Sequence, residues 1–349
     1  MTIQTDYILT HFNTFRLPAK CKYFITCETV QELKKLSADE YFRTLPFTLI
    51  GQGSNLLFTQ DFEGALVHMS NNEVEFLSED NEGNVLIKVG AGKCWDKLVE
   101  EVCLQNLWGM ENLSLIPGDT GAAAAQNIGA YGVEIESIVK RVHTVNLATG
   151  EECIFTRTEC DYKYRHSIFK TAPMNYYVIY AVEFLLKRNG CPNLSYFKTL
   201  EEGTSPSTPT DIRNLVIQTR QQKLPDPEVL PNAGSFFTNP VLPADSFKAL
   251  TEKIPNIPYY AQQDGYKIPA AWLIEQCGYK GKVVGNVGCH KNQPLVIINT
   301  GNATGHEIET FSQQIQQEVL DKFGIRLQPE VRTVSANTLT PIAEAFTAQ

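Results

Sequence analysis

Three short stretches concentrate residues that let a backbone close tightly on a ligand. The first is Gly51, Gln52, Gly53, Ser54 and Asn55; the second is Gly90, Ala91 and Gly92; the third runs over residues 116–132 and holds Pro117, Gly118, Gly121, the alanines at 122–125, Gly129, Ala130 and Gly132. Glycines allow close approach, and successive N–H groups aimed into one concavity suit a pyrophosphate. The first turn superficially matches a dinucleotide fingerprint. Position 56, however, is Leu rather than Gly, and Leu56, Leu57 and Phe58 read as strand rather than helix, so a doubly wound reading is poor. By itself the 51–55 turn is either a tight turn or a phosphate loop. The third stretch could be a close-packed helix of small residues, which explains 122–125 but not Gly129, Ala130, Tyr131 and Gly132. A flat or bulky group packed against it explains both.

Residues 23–26 and 47–50 read as strands, and Thr29 with Glu32 forms a capping box opening a helix toward Ser37. Residues 84–89 are a strand, followed by a helix over 94–105 with Trp95, Leu98, Val99 and Val102 on one face. Residues 138–146 and 151–155 flank Ala148, Thr149 and Gly150 as a hairpin, and 176–186 is a long strand. The chain to about Arg188 is thus one α+β unit. Residues 191–210 turn polar, and Pro209 opens a helix with Ile212, Leu215, Val216 and Thr219 on one face. Helices over 244–253, 269–277 and 304–323 and a strand over 295–299 follow, the last helix carrying a Thr304/Glu307 capping box. A tail over 333–349 shows no such order and is expected to be mobile.

The chain has 349 residues, enough for two or three domains with sizeable cores. Apolar residues make up 43 % and charged residues 20 %, a globular composition. Thirty Lys and Arg against 39 Asp and Glu give a net charge of −9 without a basic run, which disfavours nucleic-acid binding. Nine cysteines without a C-x-x-C spacing indicate neither a disulfide framework nor a metal site. No run of apolar residues is long enough for a membrane helix and the start has no signal-peptide pattern, so a cytoplasmic location is expected. Nothing resembles a dimerisation seam, and a monomer is expected.

The segments GQGSNLL (51–57), GAGKCW (90–95), IPGDTGAAAAQNIGAYG (116–132), YRHSIFK (164–170), KLPDP (223–227), NAGSFFTNP (232–240) and PEVR (329–332) resemble the UDP-N-acetylenolpyruvoylglucosamine reductase family, in that family's order and over nearly the whole chain. The polar insert LSYFKTL is similar to the variant with an extra substrate-capping loop. The resemblance implies an α+β fold: a vanillyl-alcohol-oxidase-type FAD-binding domain of two α+β subdomains (1–190, divided near 70), a capping loop and linker helix (191–222), and a smaller α+β substrate-binding domain (223–332). It implies noncovalent FAD, since the 51–55 turn holds no His or Cys to attach flavin. NADPH would reduce the flavin, and UDP-N-acetylglucosamine enolpyruvate would reoxidise it to give UDP-N-acetylmuramate, a peptidoglycan precursor. Gly51, Gln52, Gly53, Ser54 and Asn55 would hold the pyrophosphate, with Gly118, Thr120, Gly121, Gln126, Asn127 and Gly129 against the rest of the cofactor.

Hydride from flavin N5 to the terminal enolpyruvyl carbon leaves an enolate of the carboxylate, and a proton must reach the adjacent carbon. By resemblance Ser235 is the proton donor, and Arg165 and Glu330 sit at the substrate carboxylate, where an Arg can neutralise the developing charge bidentately. Without the resemblance these three read as a turn residue, an ion-pair residue and a solvated charge. Lys223, Asn239 and Tyr260 would contact the diphosphate and uridine, and Tyr164 and Tyr196 would close over the sugar. His290 is open between a substrate-side and a structural role. Two rivals remain: a flavin oxidase on the same module, which leaves Ser235, Arg165 and Glu330 together unexplained, and a noncatalytic nucleotide-sugar or flavin-binding protein.

Overall fold

The computed structural model describes residues 1–171, 174–197, 206–262 and 265–335. Its first unit begins with a four-stranded sheet in the order Thr2–Ile8, Lys20–Cys27, Phe62–Met69, Phe47–Leu49, of which only the first pairing is antiparallel. Between the second and fourth strands runs α1 (Val30–Ala38), opened by a reciprocal box: Glu32 N donates to Thr29 Oγ1, and Thr29 N to Glu32 Oε2, each at 3.2 Å. A second sheet is wholly antiparallel, in the order Glu152–Thr156, Val139–Asn146, Tyr177–Lys187, Asn84–Gly90, Val74–Glu79. The helix α2 (Trp95–Leu104) buries Trp95, Leu98, Val99 and Val102, the expected face, and Trp95 Nε1 donates to Leu113 O at 2.9 Å. Leu33 and Leu36 of α1 join these residues and both sheets in one core.

The small-residue stretch forms α3 (Thr120–Gln126), whose Gly121, Ala123 and Ala124 are buried against the long Tyr177–Lys187 strand. Short side chains are required there because a helix lies directly on a sheet. α4 (Pro209–Lys223) starts at Thr208, whose side chain accepts from Asp211 N. It buries Ile212, Arg213 and Val216, and Leu215 and Thr219 are only half-buried. Arg213 takes the inward place because Asp96 of α2 receives it bidentately, Nη1 to Oδ1 at 2.6 Å and Nη2 to Oδ2 at 2.9 Å.

The second unit holds a four-stranded antiparallel sheet, Asn232–Ser235, Val296–Asn299, Val287–Cys289, Val283–Val284, and a three-stranded one, Val241–Leu242, Gly265–Lys267, Tyr260–Gln262. Around them pack α5 (Ala244–Lys253), α6 (Ala270–Gln276) and α7 (Gly305–Phe323), the last burying Ile308, Phe311, Ile315, Val319 and Phe323. Phe15, Leu17 and Leu57 from the first unit belong to this core, and Asn299 Nδ2 donates to Phe15 O at 2.9 Å.

The chain then returns: Arg332–Val334 pairs in parallel with Leu56–Phe58, Arg332 opposite Leu56. The tail expected to be disordered from Thr333 therefore begins as strand, because Val334 is buried beside Phe58 and Leu66. Residues 336–349 lie outside those described, as does part of the LSYFKTL insert. Among the described residues no helix is long and apolar enough to cross a membrane.

Burial alone would raise the Asp96 carboxyl, but the Arg213 fork and the Leu115 N–H hold it below its ordinary value. Arg213→Leu is expected to lower stability by about 2 kcal/mol at neutral pH, discounted from a fully buried pair because Asp96 is partly solvated. The depressed carboxyl contributes above its unfolded value of about 4 and loses that contribution as pH falls through the folded value. Urea unfolding should accordingly show the difference between wild type and variant shrinking below about pH 4.

Candidate active site

The 51–55 turn lies between the strands Phe47–Leu49 and Leu56–Phe58. Gly53 has φ +67°, and a Cβ there would fall 1.8 Å from Phe12 O, so the backbone crossing excludes any side chain. The turn is tied to the third stretch at three points, one of them Ser54 Oγ donating to Pro117 O. Gln52 Nε2 donates to Asp119 Oδ1 at 2.7 Å, and Asn55 Nδ2 donates to Gln126 Oε1 at 2.8 Å and to Glu330 O at 3.1 Å. Together they frame a cavity with about 1100 Å³ of empty space, open to solvent. Its walls are Gly51 to Asn55, Asp119, Gly121, Ala122, Ala125 and Gln126; its apolar floor includes Ile50, Val67, Met69, Ala91, Phe169, Val178 and Ile179. Two cations face it, Lys170 and Arg332, each with its pKa lowered by burial.

Of the residues expected on the cofactor, Gly51, Gln52, Gly53, Ser54, Asn55, Gly121 and Gln126 line this cavity, and Gly118, Thr120, Asn127 and Gly129 stand behind it. Thr120 Oγ1 donates to Lys93 O at 2.9 Å; Asn127, buried at the left-handed end of α3, donates to Glu134 Oε2 at 2.8 Å and Lys163 O at 2.9 Å. Ser54 Oγ donates to Pro117 O at 3.2 Å, beside Gly118. Gly129 O accepts from Arg165 Nη2 at 2.9 Å.

Arg165 sits at the tip of a turn closed by Lys163 N to His166 O (3.1 Å) and His166 N to Lys163 O (2.8 Å), with φ +55°. A non-glycine residue there costs on the order of 1 kcal/mol, and it is held by Lys170 Nζ donating to Arg165 O at 2.7 Å. Its Nε lies 2.8 Å from Glu330 Oε1, both side chains largely buried. That contact is an ion pair without hydrogen-bond alignment, since Nε has no hydrogen-bonding partner. Ser235 ends the Asn232–Ser235 strand, and the next carbonyl, Phe236 O, accepts from Glu330 N at 2.8 Å. Glu330 thus touches both other segments, meeting Arg165 through its side chain and Phe236, next to Ser235, through its N–H, while its carbonyl is held by Asn55 of the cavity wall.

Tyr164 lies under Lys267, whose Nζ is 3.9 Å from the ring centroid, and burial raises the Tyr164 phenol. Tyr260 is exposed and pairs in register with Lys267. Asn239 Oδ1 accepts from Ala270 N at 2.9 Å, at the start of α6. Lys223, ending α4, holds its Nζ 5.3 Å from the Tyr196 ring, and Tyr196 packs edge-on to Tyr131. His290 is buried, with its pKa lowered by burial and Nδ1 unpartnered among the described residues. Lys170, Lys267, Arg332 and Asp119 were not singled out by the sequence reading. Lys170, Arg332 and Asp119 lie inside quoted segments, and only the fold turns their side chains to the cavity.

An apolar floor, a glycine-walled loop and two cations suit a flat ring system joined to a diphosphate. The buried Asp119 Oδ2, which has no partner among the described residues, marks a polar group awaiting one. The geometry fits FAD. Residues 21–156 match the family model described as FAD binding domain, and residues 225–334 match that described as UDP-N-acetylenolpyruvoylglucosamine reductase, C-terminal domain. Fold and site together define an FAD-dependent oxidoreductase of α+β architecture.

Relatives bearing the name UDP-N-acetylenolpyruvoylglucosamine reductase include one from Porphyromonas gingivalis, 43 % identical over 96 % of this chain and 100 % of that one. Another, from Photobacterium profundum, is 39 % identical over 99 % and 100 %. The chain belongs to the UDP-N-acetylenolpyruvoylglucosamine reductase family. The crystal structure of such a reductase from Thermus caldophilus, 22 % identical, superposes with a TM-score of 0.67 over 96 % of this chain and 100 % of that one, which shows the shared fold.

Gly53→Ala should destabilise the protein by more than about 2 kcal/mol through left-handed strain and the Phe12 clash together. The measurement is flavin absorbance per chain in the soluble fraction, expected near background. A fully yellow variant would show that the turn is not the constraint described.

Proposed function

We propose that this chain reduces the enolpyruvyl ether of UDP-N-acetylglucosamine to UDP-N-acetylmuramate, with NADPH as reductant, as a cytoplasmic monomer. Reduction of UDP-N-acetylenolpyruvoylglucosamine for peptidoglycan synthesis is the activity of its family. The observation that carries the reading is the convergence of Ser235, Arg165 and Glu330 beside the FAD cavity, the set a flavin oxidase or a binding protein would not need. The division into an FAD unit over 1–190, a strap over 191–222 and a substrate unit over 223–332 belongs to the same proposal, supported by α4 lying on α2.

FAD, when bound, carries hydride from NADPH to the terminal enolpyruvyl carbon. The chain's own part begins with Gly51 to Asn55 and Gln126 at the cofactor and Gly118, Thr120, Asn127 and Gly129 as the scaffold behind it. Arg165 faces the substrate carboxylate, where its fixed charge stabilises the enolate. Serine is a feeble acid, so Ser235 serves because the enolate carbon is strongly basic and held within reach. An ionised Glu330 would repel the developing dianion, so Glu330 acts as a hydrogen-bonding acid when that charge forms. Its contact with Arg165 gives it a second duty, holding the guanidinium in place. Lys223, Asn239 and Tyr260 bind the nucleotide diphosphate and uridine, while Tyr164 and Tyr196 cover the sugar. The Lys223–Tyr196 and Lys267–Tyr164 contacts support this, since each sets a cation against one of the two aromatic rings.

An anaerobic absorbance trace tests the function: NADPH should bleach the flavin, and UDP-N-acetylglucosamine enolpyruvate should restore the colour. Recovery only with oxygen would favour the oxidase, and a colourless chain that takes up no FAD the binding protein. Ser235→Ala should bleach normally and turn over at least about 100-fold more slowly with the enolpyruvate. Glu330→Gln should retain far more activity than Glu330→Ala; equal losses would remove the acid role.

A further inference from the structure

Among the described residues Asp119 is the one carboxylate on the cavity wall, and the roles already assigned do not account for its side chain. It is 4 % exposed. Gln52 Nε2 satisfies Oδ1 at 2.7 Å, while Oδ2 has no partner among the described residues and would stand 3.1 Å from a Cβ on Gly51. The carboxyl therefore lies against the backbone of the turn assigned to the cofactor diphosphate. It precedes α3 without capping it, so no helix-terminal hydrogen bond explains its type.

Among the described residues no cation pairs with it. Lys93 pairs with Glu101 at 2.6 Å, Asp96 with Arg213, and Lys170 Nζ lies on Arg165 O. Arg332 and Tyr177 share the cavity, and Glu136 lies in the turn packed beneath α3, but among the described residues no ion pair joins any of these to Asp119. His68, hydrogen-bonded to Ile50 O behind the turn, has its pKa lowered by burial and titrates in a more acidic range. Burial pushes the Asp119 carboxyl up to about 7, with the Gln52 hydrogen bond opposing. A buried, unpaired carboxylate beside a dianionic diphosphate would be repelled from both sides, whereas the neutral acid supplies a donor at Oδ2.

We propose that Asp119 holds the FAD diphosphate as a neutral carboxylic acid, its Oδ2–H donating to a phosphate oxygen, so that retaining the cofactor retains a proton. This rests on the assignment of the 51–55 turn to the diphosphate. The bound dianion raises the carboxyl further, so above neutrality the free site loses a proton that the loaded site keeps, and FAD affinity falls as pH rises.

The experiment follows FAD release from diluted holoenzyme by the fluorescence of free FAD between about pH 6.5 and 8.5. The dissociation constant of the wild type should weaken on the order of tenfold from pH 7 to 8.5. Asp119→Asn, which keeps the acceptor for Gln52, should change by less than about twofold over the same range. Independently of any variant, the infrared spectrum of wild-type holoenzyme at pH 7.5 should show the carbonyl stretch of one protonated buried acid. Parallel pH profiles in the two proteins, a pH-flat wild type that still carries FAD, or the absence of that band would overturn the assignment of Asp119 alone. A chain that binds no FAD at any pH would overturn the cavity assignment and this inference with it.

Discussion

The site depends on one piece of long-range pairing, the parallel ladder between Leu56–Phe58 and Arg332–Val334. Residue 330 is 275 positions from residue 55, yet Asn55 Nδ2 donates to Glu330 O and Arg332 N to Asn55 O. Parallel neighbours cannot be joined by a turn, so the intervening chain must make an excursion and return. Here that excursion contains the rest of the first unit and the sheets and helices of the second. The ladder is short, and by itself it would be marginal. It is buttressed by the N-terminal segment, whose Phe15 and Leu17 enter the core of the second unit, and by Gly305, which lets α7 begin against Phe58.

This closure also sets the electrostatics. Arg165 reaches Glu330 only because the returning segment brings the carboxylate to the turn at 163–166. Around the same point Lys170 and Lys267 are half-buried, and that burial lowers both, so cations gather near the pairing with few counter-charges. Cations held out of water without full pairing are costly unless an anion completes them.

The legibility of the sequence follows range. The capping boxes at Thr29 and Thr304, the buried faces of α2 and α7 and the 148–150 turn are local effects, read from a few residues, and they stand in the structure. The central strand Phe62–Met69 was not recognised, because it is buried on both faces and lacks the alternation that marks a half-buried strand. Residues 333–335 looked like tail because a three-residue strand has no period to detect; its partner lies far away in sequence. In α4 the apolar pattern pointed to Leu215 and Thr219, but a buried charge at Arg213 outranked them once Asp96 was adjacent. The site residues named from the family's segments were found by identity of motif. Their convergence, and the roles of Lys170, Lys267 and Asp119, depend on pairings no local pattern contains.

The small-residue stretch shows how one segment can serve two demands. Its alanines lie flat on the Tyr177–Lys187 strand, which a helix of larger residues could not do, and the same flatness leaves the width of the cavity open above Ala122 and Ala125. The polar residues around it divide accordingly: Thr120 and Asn127 turn inward to the scaffold, while Asp119 and Gln126 turn to the 51–55 loop. A substitution that enlarges the buried face would lift the helix and narrow the cavity, whereas one on the open face would fill it directly. Both faces of α3 therefore constrain residue size for different reasons. That double constraint is why the stretch is so poor in large side chains, and why neither a packed helix nor a ligand cradle alone explained it.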